Sequence, residues 1–230
     1  MARCKSRRLK ILALDTATEN CSAALWIAGS VIHREVEAER GHAELILSMI
    51  DELLKESGTR LSDLAAIAFG RGPGSFTGVR LAASVTQGLA FGADVPVVPV
   101  SDLRAVAQRV AAERILVCND ARMQEVYWAC FERGADGLMQ PVTQERVSKP
   151  IDVQLPIGWV GTGAGRGFAA YPMLQERLAD HLSNIEPTLL PRAHEVVLIA
   201  AAQVQAGRTQ PPESAVPTYI RDDVARPKGS

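Results

Sequence analysis

Three stretches of the 230-residue chain place chemistry-capable residue types at short spacing. The first is Asp15-Thr16-Ala17-Thr18-Glu19-Asn20, where an apolar run ends in a carboxylate and hydroxyls. A hairpin there offers N–H groups, hydroxyls and an acid, the parts that hold a phosphate and its metal ion. The same residues also make a hydrogen-bonded turn between two strands, the commoner outcome for such residues. The second stretch is Gly70-Arg71-Gly72-Pro73-Gly74-Ser75-Phe76-Thr77-Gly78-Val79-Arg80. It fails each Gly-rich signature. A Walker loop needs Lys and a hydroxyl where Val79 and Arg80 stand, and a dinucleotide fingerprint needs two residues in the gap where three separate Gly74 from Gly78. A nucleophile elbow around Ser75 needs glycines where Pro73 and Thr77 sit. What remains is a turn that lets a helix N-terminus approach another backbone or a partner, ahead of an anion. The third stretch, Gly161-Thr162-Gly163-Ala164-Gly165-Arg166-Gly167, has Gly163 and Gly165 where a base or phosphate could lie, although a lone Gly-rich turn is more often only a turn. No metal site is expected: His194-Glu195-Val196-Val197-Leu198 lacks a second His, and four residues after His42 comes Ile46.

The elements that must position these stretches follow from periodicity and turn residues. Strands are expected at 10–15, 21–27 and 31–38, then a helix at 42–56 closed by Gly58. A strand at 65–69, the Gly-rich loop, a helix at 76–91 and a strand at 96–100 follow. Ser101 N-caps a helix at 102–110, and strands resume at 115–119, 125–132 and 138–142. Beyond them come a short strand at 158–161, helices at 168–181 and 193–206, and Gly207 as the final cap. Strands followed by αβ units, twice over, imply two α/β lobes in a mixed-sheet architecture. The expected boundaries are 1–105 for the first lobe, rejoined by a helix at about 191–207, then 106–190, with 208–230 an extended tail.

The two helices of the first lobe are the most informative. On a wheel, Leu45, Ile46, Leu47, Met49, Ile50, Leu53 and Leu54 spread over about 200°. A one-sided surface helix needs about half of that arc. The helix at 76–91 has one charge, Arg80, and a run of small residues, Gly78, Ala82, Ala83, Ser84, Gly88 and Ala90. With almost no solvated face it is either interior to a layered α/β fold or covered by another chain; the residues alone leave both open.

Composition narrows the classes further. Lys plus Arg number 25 against 26 Asp plus Glu, a formal charge of -1, so no strong positive field draws nucleic acid unaided. With 47% hydrophobic and 22% charged residues the chain is an ordinary globular one. Cys4, Cys21, Cys118 and Cys130 show no C-x-x-C and no dense framework, which fits reduced thiols in a cytoplasmic protein. The basic start, Arg3, Lys5, Arg7, Arg8 and Lys10, leads into an apolar run cut at Asp15, too short for an export signal, and no run suits a membrane span.

The motifs ILALDTATENCS at 11–22, HAELILSMIDELL at 42–54, GRGPGSFTGVR at 70–80, PVSDL at 99–103, DARMQEVYW at 120–128 and PTYIRDDVA at 217–225 resemble the TsaB (YeaZ) family of bacterial tRNA threonylcarbamoyladenosine biosynthesis proteins, nearly end to end. The resemblance implies a two-lobed actin-like ATPase fold, shared with hexokinases and chaperone ATPases of the Hsp70 type, with a degenerate active site and no catalytic residue, metal or intrinsic cofactor. Asp15, Thr16, Gly163 and Gly165 are then the remaining nucleotide-contact candidates, with a nucleotide at a partner interface the other option. Family members resemble noncatalytic partners of the paralogue TsaD, which transfers a threonylcarbamoyl group to the adenosine beside the anticodon, and an ATPase, TsaE, joins them. The paralogue carries a helical His pair that this chain lacks at Ile46. The same resemblance implies pairing with TsaD or with a second copy through the two helices, at His42, Leu45, Ile46, Met49, Ile50, Leu53, Phe76, Arg80, Ala83 and Val85, with tRNA reached indirectly. On that expectation Met49→Lys or Val85→Lys leaves a folded monomer that no longer docks. Two departures are Ala17, where Ser is usual, and Ser48, where Pro is common; the first weakens any phosphate contact at that position. An autonomous ATPase or phosphotransferase of the actin-like class is the alternative, and a serine hydrolase built on Ser75 lacks a base.

Overall fold

A computed structural model describes residues 9–220. Residues 1–8, with Cys4 and the basic start, and residues 221–230, with the end of the PTYIRDDVA motif, lie outside the described residues.

β1 (Lys10–Asp15) is apolar on both faces and buried from Ile11 onward, which makes it a central strand. β2 (Asn20–Ile27) runs antiparallel to it, with Asp15 opposite Ser22, and continues into β3 (Ser30–Glu37) through Ala28 and Gly29. Both turn residues take positive φ, the geometry whose twist suits a two-residue hairpin. α1 (His42–Glu56) leads to β4 (Ala66–Gly70), parallel to β1, and α2 (Phe76–Ala93) leads to β5 (Val97–Val100), parallel to β4. The sheet order is β3-β2-β1-β4-β5.

α3 (Asp102–Arg109) opens the second lobe. β6 (Arg114–Asp120) and β7 (Val126–Arg133) pair antiparallel; β8 (Met139–Pro141) and β9 (Arg146–Ser148) both pair with β7. β10 (Gly161–Ala164) adds parallel to β6, followed by α4 (Gly167–Ala170), α5 (Met173–Arg177) and β11 (Leu182–Glu186), giving the order β11-β10-β6-β7-β8. α6 (Ala193–Gln205) then returns to the first sheet.

Period-two alternation along β1 divides the first core. Leu12 and Leu14 meet Ile46, Met49, Ile50 and Leu53 of α1 and Ala82, Ala83 and Ala90 of α2. Ile11 and Ala13 meet Val196, Val197, Ile199 and Ala200 of α6 on the opposite face. α6 also touches α3, so it lies between the lobes, whereas α1 and α2 form an outer layer.

The second half corrects several expectations. The strand expected at 158–161 lies at β10, because Gly158 takes φ 72 and the Trp159 N–H closes a turn on the Pro156 carbonyl. The single helix expected at 168–181 is α4 and α5: Pro172 forces Tyr171 out of the helical region, to φ -132 and ψ 83. β9 and β11 were not foreseen, being short and polar. Gly58 and Gly207 take the left-handed conformation expected of helix ends. The tail is not free of structure: Gln210 bridges to Val97, and the Thr218 N–H donates to the Arg71 carbonyl at 2.8 Å. Cys21, Cys118 and Cys130 are buried and unpaired with one another. No helix among the described residues is long and apolar enough to cross a membrane.

Candidate protein-docking site

The first two motifs form one sealed junction. The Thr16 hydroxyl donates to the Gly78 carbonyl at 2.7 Å, and the Ser75 N–H donates to the Ala17 carbonyl at 2.7 Å. An added Cβ on Gly78 would collide with the Thr16 carbonyl, and one on Gly74 would lie 2.5 Å from the Ala17 carbonyl. These glycines are therefore required by the close approach of two backbones. The groups that a phosphate would use are consumed inside the chain: Asp15 and Thr16 are buried, and Asp15 accepts from the Ala17 N–H at 2.9 Å. Gly163 and Gly165 are likewise packing positions, where a Cβ would meet the Phe168 ring and the Asn119 side chain respectively. All four nucleotide-contact candidates are buried in the chain, with Thr16 at the edge of the cleft between the lobes.

Between the lobes lies a cleft of about 850 Å³, lined by residues of the β1–β2 turn, the start of α1 and Asn119 to Arg122. Arg122 and Arg166 reach across to Glu19 at 3.1 and 3.6 Å, so ion pairs bridge its rim. Ser75 and His42 line the same cleft, yet the Ser75 hydroxyl caps α2 by accepting from the Gly78 N–H at 3.5 Å, and His42 Nε2 lies 3.0 Å from the Thr18 carbonyl. That occupancy gives no nucleophile–base pair. Burial pushes the Cys21 thiol up to about 11, with the Asp15 charge adding to it, and pushes Cys130 up to about 12, so neither is an activated thiolate. No cluster of three metal-ligating side chains occurs among the described residues.

The outer layer is different. Ile46, Met49, Ile50, Leu53 and Ala83 belong to the lobe's own core, with Met49 only 8% exposed. This corrects their expected place at a partner surface, and with it the expectation that Met49→Lys leaves a folded monomer. Leu45 and Val85 are partly buried against that core and His42 is half-buried. The exposed residues on α2 are Phe76, Thr77, Arg80, Ser84, Gly88, Phe91 and Gly92, an arc of about 160°. Phe76 and Phe91 are 51% and 59% exposed, and Leu47 of neighbouring α1 is 52% exposed. Gly88 and Gly92 have no other group of the described residues within 4 Å of an added Cβ. At the N-terminal end Arg80 stacks 3.5 Å from the Phe76 ring centroid and donates to the Tyr219 hydroxyl at 2.7 Å. Sequence reasoning named Phe76 and Arg80 but missed Leu47, Phe91 and Tyr219 as surface residues. The four-residue spacing of Arg80, Ser84 and Gly88 was the available signal for the arc, while Tyr219 reaches it only through tertiary folding.

The family model for TsaD, tRNA N6-adenosine threonylcarbamoyltransferase, matches residues 30–228. The tRNA threonylcarbamoyladenosine biosynthesis protein TsaB of Escherichia coli strain K12 is 42% identical over 226 residues, covering 94% of this chain and 96% of the relative. Its Haemophilus influenzae counterpart is 38% identical over 233 residues, covering 95% and 96%. The solved structure of YeaZ from Pseudomonas aeruginosa aligns with a TM-score of 0.83 at 38% identity, over 92% of this chain and all (100%) of that one. A second Pseudomonas aeruginosa structure, described as an uncharacterized protein with similarity to peptidase YEAZ, gives 0.84 at 39% identity over 93% and 100%. The expected two-lobed actin-like α/β fold, a mixed sheet with helices in each lobe, is borne out. The chain belongs to the TsaB family of tRNA threonylcarbamoyladenosine biosynthesis proteins.

Proposed function

We propose that the chain is a noncatalytic subunit whose outer α2 face docks onto a TsaD-like catalytic relative, and that threonylcarbamoylation of the adenosine beside the tRNA anticodon depends on that docking. The observation that carries this reading is the open space over Gly88 and Gly92 beside the exposed Phe91 ring. Glycine in a helix interior costs about 1 kcal/mol relative to Ala, and the chain's own packing asks for neither residue. A second helix approaching closely would require both. The family membership supplies the kind of partner. The same surface serves a homodimer when the relative is absent, TsaE joins the docked pair, and tRNA is reached through the partner, in the cytoplasm.

The test is purification of the chain with its TsaD-like relative and reconstitution of the modification. Wild-type chain is expected to copurify and to support modification, and Gly88→Leu, which fills the open space, to lose both while remaining folded. Modification that proceeds equally well without the chain overturns the reading.

One observation favours a second reading. Both polar atoms of the buried Asn119 amide lack a hydrogen-bond partner among the described residues, and Asn119 lines the cleft. A nucleotide held there, alone or at a partner boundary, would use that amide. ATP hydrolysis by the purified chain, lost in a folded Asn119→Ala variant, would promote the autonomous ATPase reading over the scaffold one.

A further inference from the structure

Asp15 and Asp102 form a cluster that neither the docking surface nor the cleft uses. Both carboxyl groups are fully buried, at 0% exposure, one at the end of β1 and the other in the first turn of α3. Each has one oxygen tied to backbone: Asp15 Oδ1 accepts from the Ala17 N–H at 2.9 Å, and Asp102 Oδ2 accepts from the Gly72 N–H. The other two oxygens, Asp15 Oδ2 and Asp102 Oδ1, both crowd the position that a Cβ on Gly70 would take, so they face each other across that glycine. As two carboxylates these oxygens have no donor among the described residues. With one proton between them, one of these oxygens becomes a donor and the other an acceptor.

We propose that Asp15 and Asp102 share a single proton at neutral pH, and that this acid pair positions the Gly-rich loop, and through it the start of α2. Asp102 grips Gly72 from both sides, because its own N–H also donates to the Gly72 carbonyl at 3.1 Å. Three residues later Ser75 caps α2. The pair therefore joins the end of β1, the loop that follows β4, and α3. Two like charges in contact, removed from water, cannot both persist. Burial is the largest cause raising both groups above the ordinary carboxylate range. The opposing influences are weaker: the Ala17 and Gly72 N–H groups, the charge of His42 from α1 on Asp15, and the charge of Arg71 from the loop on Asp102. The Cys21 thiol of β2 also feels the Asp15 charge, and burial pushes that thiol up and keeps it neutral. The folded chain thus retains a proton that the unfolded chain releases near the ordinary Asp value. This contribution to stability is complete below that value and is lost as pH rises through the pair's folded pKa.

The proposal concerns the isolated chain and depends on the docking reading only for its consequence. The experiment follows thermal unfolding from mildly acidic to mildly alkaline pH, with amide exchange at Gly72 to Gly78, in wild type, Asp102→Asn and Asp102→Ala. Asn can donate to Asp15 without a titrating proton. Wild-type Tm is expected to fall with rising pH, Asp102→Asn to flatten that slope and keep slow exchange in the loop, and Asp102→Ala to speed loop exchange at least tenfold. If Asp102→Ala does not fold, the wild-type and Asp102→Asn slopes still decide. Equal slopes overturn the shared proton, as does a wild-type Tm that rises with added magnesium or calcium and falls with chelator, because a cation would then bridge the pair. Loop exchange unchanged in a folded Asp102→Ala overturns the positioning role. Should wild type and both variants behave as expected while partner capture is indifferent to the loop, the docking reading fails and the acid pair stands.

Discussion

The two halves of α2 use small residues for opposite reasons. At its N-terminal end Gly74 and Gly78 press against Thr16 and Ala17, so the chain itself accounts for their missing side chains. At its C-terminal end Gly88 and Gly92 face open space and weaken the helix with nothing among the described residues to offset the loss. One region is complete within the monomer. The other is the face that we propose a partner covers. The first two motifs, Asp15 to Asn20 and Gly70 to Arg80, meet in the complete region, where Thr16, Ala17, Gly74 and Gly78 are used in packing.

Substitutions separate the two regions. The largest effect is expected from Met49→Lys, which puts an unpaired charge among Leu12, Ile46 and Leu53; unfolding by denaturant should show a loss of about 3 kcal/mol or more. Gly78→Ala comes next, at about 2 kcal/mol in the same assay, because its methyl meets backbone that cannot swing away. Gly88→Leu sharpens the contrast. The isolated chain should keep its stability or gain up to about 1 kcal/mol, while affinity for the TsaD-like relative, measured by titration calorimetry, should fall tenfold or more. Phe91→Ala should leave the melting temperature unchanged and weaken capture by about 1–2 kcal/mol. The smallest effect concerns reactivity: a thiol alkylator at neutral pH should leave Cys21, Cys118 and Cys130 unlabelled in the native chain by mass spectrometry, since burial raises all three thiols.

How much of this was legible before folding depended on the signal. β1, α1 and α2 were readable because long apolar runs and helical periodicity survive any tertiary context. β9 and β11 were not, being short polar strands recruited by sheet edges that already exist. The wide apolar arc of α1 was visible, but which flank is consumed by Leu12, Leu14 and Leu25 is decided only when the sheet is in place. Asp15 was legible as a polar residue ending an apolar strand. Its partner Asp102 lies 87 residues away, and only the parallel placement of β4 beside β1, with α3 starting just after β5, brings them together. Tyr219 sits in a tail with no periodicity, and the Thr218 to Arg71 hydrogen bond is what delivers it to Arg80.

The central claim is that this chain contributes a docking surface and no bond-making group. Its most direct test is reconstituted tRNA threonylcarbamoylation with the TsaD-like relative and either wild-type chain or a folded Gly88→Leu variant. Modification should require the wild-type chain and fall in step with lost affinity, recovering when the variant is supplied at concentrations that restore binding. A variant that binds as tightly as wild type yet fails to support modification would mean that this face does more than dock, and a variant that cannot bind yet supports full modification would contradict the account outright.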